Sequence, residues 1–488
     1  MIFLSAEEIR AAEKRAMEKT SSMQLIGNAA NACFEELKIF NSVLVYCGKG
    51  NNGSDGYATA ILLKKAGKRV CIIQVDEPKT AECAALCSAA RDMEIEMRGV
   101  GNPPKGFECI FDAIFGIGIK GVITGNPKIA IEEINAYNSY VVSADIPSGM
   151  DTDTGEGVCV KADKTVTFTA PKKGMIFNSG VNSCGEIVIK KVGIECPDKD
   201  GTVVITKDLA KKLLPKRERL SHKGTFGTAL IIAGSKFMAG AAAMAAQAAQ
   251  RSGCGMVKII APRSICASLN IMVKEAVIIS APENGGVMSP RLSKRAIEEI
   301  SMADSILIGC GIGKGHHEKM IGKVLKFAHC PVIIDADGIN ALSGHLDIIE
   351  NKNVLLTPHP LEFSRISSVP VPELEKSRLE YADMFTKKIG GSVLLKGART
   401  MIVNREGKAY VSLISTSALA KAGSGDALAG ICASLAAEGL EISKSAVLAV
   451  YIHSLAGRIC ERKFSAYSSV SSDLIENIPE AFKTLISS

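Results

Sequence analysis

Val43-Leu-Val-Tyr-Cys-Gly-Lys-Gly-Asn-Asn-Gly53 combines a short apolar run with a glycine-rich turn, and a helical pattern containing Tyr57 to Ala66 follows it. A buried strand that ends in glycines before a helix is typical of a βα unit. Similar apolar runs recur along the chain, each followed by an amphipathic helical stretch. The sequence therefore predicts the α/β class, with parallel strands covered by helices.

The predicted strands fall into two series. The first series consists of Val43–Cys47, Arg69–Val75, Cys109–Ile114 and Tyr140–Ala144. The second consists of Thr228–Ala233, Met256–Ile260, Ser305–Ile308, Val332–Ile334, Val354–Leu356 and Val393–Leu395. Between them, the turn-rich and charged segment Val192–Gly201 interrupts the strand pattern. We therefore predict two doubly wound domains, residues 1–200 and 201–488, each long enough to fold on its own.

The composition is that of a globular chain without the signatures of a membrane or nucleic-acid-binding protein. The 488 residues are 47% hydrophobic and 22% charged, and the formal net charge is +7. Membrane belts and base-stacking surfaces need aromatic rings, which supply only 5% of this chain and include no tryptophan. The start of the chain becomes charged before an apolar signal segment can form. We predict a cytoplasmic protein that binds neither membranes nor nucleic acids.

The fifteen cysteines indicate reduced thiols rather than a disulfide framework, because their number is odd and no Cys-x-x-Cys pair occurs. Cys83 and Cys87 share one face of a predicted helix, but two thiols alone do not make a zinc site. The densest basic run, Lys211–Arg219, is interpreted as a solvated linker. The apolar stretch Gly227–Gln250 is rich in alanine and glycine, which favours tight helix packing over lipid contact.

The turn Gly48-Lys-Gly-Asn-Asn-Gly53 matches the dinucleotide-binding pattern G-x-G-x-x-G, and Asp76 ends the next strand at about the expected distance. This match makes an NAD-dependent dehydrogenase the first candidate. A tight turn without any ligand is the alternative, because glycines are needed at such turns for backbone reasons alone.

Polar side chains at the strand ends indicate a more particular site. Asn51, Asn52 and Asp55 offer amide and carboxylate oxygens that can hold hydroxyl groups or a hard cation. Asp112, Asp145 and Ser148 follow two further strands, and the carboxyl ends of parallel strands face one crevice. These side chains are therefore expected to converge. Free backbone N–H groups at Gly116 and Gly118 are expected to form an anion-binding nest.

Four ordered motifs carry a resemblance to a known family. They are Gly-x-Gly-Asn-Asn-Gly-x-Asp-Gly from Gly48, Asp-Ala-x-Phe-Gly-x-Gly from Asp112, Ala-Asp-x-Pro-Ser-Gly-x-Asp from Ala144, and Val160–Phe168 with Pro171-Lys-Lys-Gly174. In this order, over nearly the whole first half, they resemble the NAD(P)H-hydrate epimerase domain. The resemblance implies a three-layer α/β/α Rossmann-like fold that interconverts the R and S forms of hydrated NAD(P)H.

The resemblance also implies roles for individual residues of the first half. Asp145 is the expected catalytic acid/base, since epimerisation moves a proton while water leaves and returns. A potassium ion is expected at Asn52, Asp112 and Ser148. Besides Asp145, the expected substrate-binding residues are Asn51, Asn52, Gly53, Ser54, Asp55, Gly116, Ile117, Gly118, Ile119, Lys120, Gly121 and Val122.

In the second half, Ala422-Gly-Ser-Gly-Asp-Ala-Leu-Ala-Gly430 leads into a helix of Ala, Leu and Ile. Glycines at a helix N-terminus expose N–H groups to an anion, and a carboxylate beside them can take a proton from a hydroxyl that attacks phosphorus. A flexible turn before a buried helix is the alternative. The chain contains no G-x-x-x-x-G-K-[ST] sequence, so a nucleotide is not expected to be held by a Walker loop.

Six further motifs precede this stretch. They are His222–Thr228, Ala233-Gly-Ser235, Gly309-Cys-Gly-Ile-Gly313, Asp335–Asn340, Thr357-Pro-His-Pro-Leu-Glu362 and Lys396-Gly-Ala-Arg-Thr400. Together with Gly423–Asp426, this ordered set resembles the ADP- or ATP-dependent NAD(P)H-hydrate dehydratase, a member of the ribokinase-like fold.

This second resemblance implies that Asp426 is the catalytic base, with magnesium accompanying ADP or ATP. Besides Asp426, the expected hydrate-binding residues are Gly313, His359, Pro360, Leu361, Glu362, Phe363, Ser364 and Arg365. The expected nucleotide-binding residues are Lys396, Gly397, Ala398, Arg399, Thr400, Ser417, Ala418, Leu419, Ala420, Lys421, Ala422, Gly423, Ser424 and Gly425.

We therefore expect a homo-oligomeric bifunctional enzyme that acts on the small molecules NADHX and NADPHX, in which the first domain supplies the S epimer to the second. The alternative is a ribokinase-like small-molecule kinase with a non-catalytic N-terminal binding domain. A non-catalytic N-terminal domain is possible because a domain can lose its catalytic activity and keep its fold.

Overall fold

The computed structural model describes residues 1–119, 121–177, 180–196, 201–315 and 317–487. The chain divides into two compact units, Met1–Gly201 and Thr202–Ser488. The boundary predicted at Asp200 lies outside the described residues, and the assignment of one activity to each part stays a prediction.

The first unit is built on one sheet. Its strands are β1 (Ser42–Cys47), β2 (Arg69–Gln74), β3 (Glu96–Gly99), β4 (Cys109–Ala113), β5 (Tyr140–Ala144), β6 (Lys164–Phe168) and β7 (Glu186–Lys190). Its helices are α1 (Ala6–Met17), α2 (Ser22–Leu37), α3 (Asn51–Lys65), α4 (Ala81–Asp92), α5 (Asn126–Ala136) and α6 (Gly180–Ser183). All neighbouring strands are parallel, in the order β3-β2-β1-β4-β5-β6-β7. The order reverses between β1 and β4, which is where ligands bind in open α/β sheets.

The side chains of β1 point alternately to the two faces of the sheet, and helices cover both faces, which gives three layers. Val43, Val45 and Cys47 pack into the core on the face of α2, α3 and α4. Leu44 and Tyr46 pack into a second core on the face of α5. Side chains of a strand alternate between faces, so a continuous apolar run is buried on both sides. The predicted doubly wound fold is confirmed for this unit.

The second unit has a larger sheet. Its strands are β8 (Val203–Val204), β9 (Thr228–Ile232), β10 (Met256–Pro262), β11 (Val277–Ala281), β12 (Glu283–Asn284), β13 (Val287–Met288), β14 (Ser305–Ile308), β15 (Val332–Ile334), β16 (Val354–Leu356), β17 (Ser392–Leu395), β18 (Met401–Val403) and β19 (Ala409–Val411). The order is β11-β10-β9-β14-β15-β16-β17-β18-β19-β8, parallel from β11 to β17, and β12 and β13 form a separate hairpin.

Helices cover this sheet. They are α7 (Lys207–Leu213), α8 (Ala239–Arg251), α9 (Cys266–Met272), α10 (Lys294–Met302), α11 (His317–Phe327), α12 (Asp337–Ala341), α13 (Pro360–Ser367), α14 (Val371–Lys376), α15 (Arg378–Ile389), α16 (Ser424–Ala437), α17 (Ile442–Ser468) and α18 (Ser471–Ile486). A side chain on Gly430 of α16 would lie 2.1 Å from the carbonyl oxygen of Ala245 in α8. The tight packing predicted for the alanine-rich stretch is therefore confirmed.

All fifteen cysteines are free thiols, and Cys83 and Cys87 are buried on one face of α4 as the spacing predicts. Within the described ranges, no helix combines the length and the apolar character that crossing a membrane requires.

Candidate active sites

The glycine-rich turn after β1 brings two backbones together. A side chain on Gly48 would lie 2.0 Å from the carbonyl oxygen of Ile114, and one on Gly53 would lie 1.9 Å from that of Gly48. Only glycine fits such an approach. Helix α3 begins at Asn51, ahead of the predicted helical stretch, so Asn52 belongs to its first turn. The N-terminus of this helix therefore faces the reversal point of the sheet.

A buried oxygen cluster occupies that reversal point. The Asp112 carboxylate is fully buried and accepts hydrogen bonds from the Ser148 N–H (2.9 Å) and the Ser143 hydroxyl (2.8 Å). The Ser148 hydroxyl oxygen accepts from the Phe115 N–H at 2.9 Å. Burial raises the pKa of Asp112, although the hydrogen bonds from Ser148 oppose this. The Asn52 amide nitrogen is buried without a protein partner among the described residues.

Asp145 stands beside this cluster at the end of β5. Its φ of 65° is in the left-handed region, which non-glycine residues adopt rarely and mostly near functional sites. Its Oδ1 is ion-paired with Lys172, whose side chain is 1% exposed, and accepts from the Phe168 N–H at 3.2 Å. Lys172 also donates to the Thr167 hydroxyl at 2.8 Å. The carboxylate is thus held in one orientation by a buried ammonium group.

The loop after β4 approaches both parts of the site. A side chain on Gly116 would lie 3.8 Å from Cβ of Asn52 and 3.8 Å from Oδ2 of Asp145. The prediction that the N–H groups of Gly116 and Gly118 form an anion-binding nest is wrong for Gly118. Its N–H donates to the Gly116 carbonyl at 2.8 Å and is not free for an anion. Val122 is exposed. Lys120 lies outside the described residues.

Three residues of α3 that are predicted to bind substrate have different surroundings. Asn51 and Asp55 line a cleft together with Asp145. Burial raises the pKa of Asp55 well above its ordinary value, and the charge of Asp145 adds to this. Ser54 is fully buried, and its hydroxyl donates to the Gly50 carbonyl at 3.3 Å within its own helix.

The second unit builds its site at the N-terminus of α16. Gly423 precedes this helix with φ of 89°, a conformation that glycine adopts freely. A side chain on Gly425 would lie 3.2 Å from Nζ of Lys396. The first N–H groups of the helix and the ammonium group of Lys396 therefore share one region, and both favour an anion.

Asp426 lies in the first turn of this helix. Its carboxylate, that of Asp335 and the Cys310 thiol have ligand atoms within 4.8 Å of one another. Burial raises the pKa of Asp426 to about 7; the charge of Asp335 adds to this, whereas Cys310 and Lys396 oppose it. Both the protonated and the deprotonated form of Asp426 are therefore populated near neutral pH.

Asp335 and Lys396 form an ion pair close to Asp426. Lys396 Nζ lies 2.9 Å from Asp335 Oδ1, and the Thr357 hydroxyl donates to the same oxygen at 2.7 Å. Burial alone would lower the pKa of Lys396, but the charges of Asp335 and Glu362 raise it. Arg378, which sequence reasoning missed, supports this segment by donating to the Lys396 carbonyl at 2.7 Å.

The His-Pro-Leu-Glu motif forms the start of α13. His359 Nδ1 accepts from the N–H groups of Leu361 (3.1 Å) and Glu362 (3.2 Å), and Glu362 accepts in return from the His359 N–H. Burial and the charge of Lys396 lower the pKa of His359. The motif is thus a capping box that leaves the half-exposed Leu361 facing outward.

Several predicted binding side chains have structural roles. Phe363 is fully buried against Phe385, with ring centroids 5.1 Å apart. Arg399 is 1% exposed and donates to the Leu413 carbonyl at 2.5 Å. Arg365 donates to Asn340 at 2.8 Å. These side chains can support a binding surface, but Phe363 and Arg399 do not present one to solvent.

Four further predicted segments contribute to turns or short-range contacts. Thr400 closes the Lys396–Thr400 turn by donating to the Gly397 carbonyl at 2.9 Å. Ser417–Leu419 is a short 3-10 helix capped by Thr416. Lys421 donates to the Tyr467 carbonyl at 3.0 Å. The Gly313 N–H donates to Asp337 at 2.9 Å.

His453 is a site residue that no sequence motif revealed. It is buried in the middle of α17, and its Nε2 lies 3.0 Å from the Ser424 carbonyl and 3.1 Å from the Ser424 hydroxyl. Because a carbonyl only accepts, Nε2 carries the proton. Burial lowers the pKa of His453 to about 4, so the ring is neutral at pH 7. The imidazole therefore supports the turn that carries Asp426.

Two family models match the chain. The NAD(P)H-hydrate dehydratase model matches residues 229–480, and the model for the YjeF-related protein N-terminus matches residues 22–174. Among solved structures, a ribokinase-like superfamily protein of Enterococcus faecalis V583 is similar, with a TM-score of 0.52 and 25% identity over 60% of this chain and 99% of that chain. The α/β class and the ribokinase-like fold of the second unit are confirmed.

Full-length relatives combine both parts. The bifunctional NAD(P)H-hydrate repair enzyme Nnr of Moorella thermoacetica is 31% identical over 91% of this chain and 88% of its own length. The enzyme of the same name from Thermofilum pendens is 30% identical over 97% of this chain and 94% of its own length. The chain therefore belongs to the family of bifunctional NAD(P)H-hydrate repair enzymes.

Proposed function

We propose that this chain repairs hydrated NAD(P)H in two steps: its first unit interconverts the R and S epimers, and its second unit dehydrates the S epimer with ADP or ATP. The observation that carries the proposal is the presence, in one chain, of two carboxylates in separate sites, one at the end of a parallel strand and one in the first turn of a helix. Asp145 is oriented by Lys172, and Asp426 stands at an anion-favouring helix N-terminus.

In the first unit, we assign Asp145 the proton transfers that accompany loss and return of water at the hydrated ring carbon. The side-chain oxygens of Asn52, Asp112 and Ser148 are of the kind that hard cations take as ligands, so these three residues would hold the potassium ion. When bound, potassium would supply positive charge close to the substrate. Gly116 lies close to Asn52 and Asp145, and Gly116–Val122 is the segment that we assign to substrate contact.

In the second unit, Asp426 takes the proton of the ring hydroxyl, and the oxygen attacks the terminal phosphoryl group of the nucleotide. The resulting phosphate ester then loses phosphate and a ring proton, which restores the double bond of NAD(P)H. Phosphate is a far better leaving group than hydroxide. Lys396 and the N–H groups after Gly423 are placed to hold phosphate oxygens.

Magnesium would enter with the nucleotide and be held mainly by phosphate oxygens and water, and Asp335, which lies close to Asp426, is the carboxylate that would join it, because Mg²⁺ usually uses one or two carboxylates together with phosphate oxygens. When bound, magnesium would neutralise phosphate charge. We further propose that the enzyme is a cytoplasmic homo-oligomer.

The proposal is tested by incubating the full chain with mixed R and S NADHX, magnesium and either ADP or ATP. We expect complete recovery of reduced-nicotinamide absorbance with at least one nucleotide, at a rate above spontaneous epimerisation. Recovery of only half of the substrate would contradict the epimerase activity. A stable phosphorylated product without recovery would instead identify a small-molecule kinase.

Replacing His453 is expected to weaken nucleotide use. His453→Ala removes the donor to Ser424 and leaves a cavity in α17, which loosens the turn that carries Asp426. We expect about a tenfold higher KM for the nucleotide and a lower Tm, measured with S-NADHX. The exposed His345→Ala is the matched control, and an unchanged KM in His453→Ala would contradict this role.

A further inference from the structure

Glu13 is a half-buried acid in the middle of α1 that no motif and no part of the assigned mechanism uses. It lines one cleft with Asp55, Asp145 and Lys172, and the apolar side chains of α1 and α2 close the sides of that cleft. Glu13 makes no hydrogen bond or ion pair with any residue in the described ranges. The carboxyl group of Glu13 therefore faces the cleft without a protein partner among the described residues and is available to a ligand there.

The first half of helix α1 and the residues just before it contact the active-site loops. The Leu4 N–H donates to the Pro171 carbonyl at 3.0 Å, which forms an isolated bridge between Leu4 and Lys172. The Arg10 guanidinium donates to the Ile117 carbonyl at 3.2 Å. A helix that contacts both the partner of Asp145 and the substrate loop holds Glu13 at a defined position in the cleft.

Inversion at the hydrated ring carbon needs more than one proton transfer. The hydroxyl must receive a proton to leave as water, and the water that adds to the other face must lose one. The ion pair with Lys172 orients the Asp145 carboxylate to accept the second proton, so the first step needs a separate proton donor. This inference rests on the proposed epimerase activity.

We propose that Glu13 is the second acid/base residue of the epimerase site and acts on the opposite side of the hydrated ring from Asp145. The protonated Glu13 gives its proton to the ring hydroxyl as the carbon–oxygen bond breaks, and water leaves. A second water adds to the other face and gives its proton to Asp145. The ring nitrogen supplies the electron pair that replaces the broken carbon–oxygen bond and takes it back when the second water adds. Asp145 then returns its proton to Glu13 through solvent, so that protons and atoms balance over each turnover, and in the reverse direction the two carboxyl groups exchange roles.

The charges around Glu13 suit this role. Burial and the negative charge of Asp145 raise the pKa of Glu13 to about 7, whereas Lys172 and Arg10 oppose this. The acid Asp55 also faces the same cleft. Both protonation states of Glu13 are therefore populated near neutral pH, as an acid/base residue requires.

The test uses the full chain without nucleotide, so that dehydration does not remove substrate. Purified S-NADHX is incubated with the enzyme, and the R epimer is measured by chromatography above the spontaneous rate. We expect Glu13→Gln to lower kcat about 100-fold with KM changed less than threefold. Glu13→Asp should restore at least a tenth of the activity. Glu18→Gln, an exposed acid at the end of the same helix, is the control and should match the wild type.

The pH profile separates chemistry from packing. In the wild type, the rate is expected to fall as pH rises through about 7, because Glu13 loses its proton; in Glu13→Gln this fall should be absent. A wild-type kcat in Glu13→Gln would overturn the inference, as would a raised KM with unchanged kcat or a lowered Tm in both Glu13 variants. A wild type that does not epimerise at all would overturn the proposed function instead.

Discussion

Asp426→Asn should abolish nucleotide-dependent dehydration, with kcat lowered by about 10³-fold or more, while epimerisation continues at the wild-type rate. The amide has nearly the shape of the carboxylate but cannot take the proton of the attacking hydroxyl. Helix α16, Lys396 and the glycines before Asp426 remain in place, so nucleotide binding should persist. The measurement is absorbance recovery from S-NADHX with ATP, together with direct titration of ATP.

The pH dependence of the wild type follows from the surroundings of Asp426. Its pKa is raised to about 7, mainly by burial. Since the base form is the active one, the dehydration rate should increase as pH rises through about 7 and then level off. The exposed Asp347→Asn in the same unit is the matched control and should keep the wild-type profile. Wild-type kcat in Asp426→Asn would remove Asp426 from the role of base.

Stability provides an independent check on folding. A carboxyl group whose pKa is raised in the folded state destabilises the protein once pH exceeds its unfolded pKa, and this effect is complete above its folded pKa. Asn carries no charge at any of these pH values. At pH 8 the second unit of Asp426→Asn should therefore have a Tm equal to or above that of the wild type. Loss of activity would then reflect loss of chemistry.

Much of this fold follows from local patterns. The five-residue run Val43–Cys47 is apolar at every position, and such a run predicts a strand buried on both faces. The short edge strands Glu96–Gly99 and Glu186–Lys190 were missed, because polar and half-exposed segments lack that pattern. The structure, not the pattern, shows that they extend the sheet.

Candidate site residues could be predicted where motifs lie at strand ends, as for Asp112 and Asp145. Residues contributed from helices were not. Glu13 sits in α1 among other acids and looks like part of a solvated face, and His453 lies in a buried apolar stretch of α17. Their roles depend on contacts far along the chain, such as the 29 residues that separate His453 from Ser424. Spacing within a motif cannot reveal such contacts.

Asp145→Asn should abolish epimerisation, with the R-to-S conversion falling to the spontaneous rate while dehydration of S-NADHX is unchanged. Asn tolerates the left-handed backbone at this position and can still accept from the Phe168 N–H. It cannot accept a proton from water. The measurement is chromatography of the two epimers in the absence of nucleotide, and epimerisation at the wild-type rate would contradict the assignment.

The same substitution leaves Lys172 buried without its counter-ion, and breaking a buried pair typically costs about 3–5 kcal/mol. We therefore expect a lower Tm for the first unit of Asp145→Asn. Adding Lys172→Met removes the unpaired charge and should recover part of that stability, because an apolar side chain of similar length is tolerated in such a position. The double variant should remain inactive as an epimerase. A double variant that regained activity together with stability would show that Asp145 acts only through the fold, and this outcome separates the chemical role of the carboxylate from its structural one.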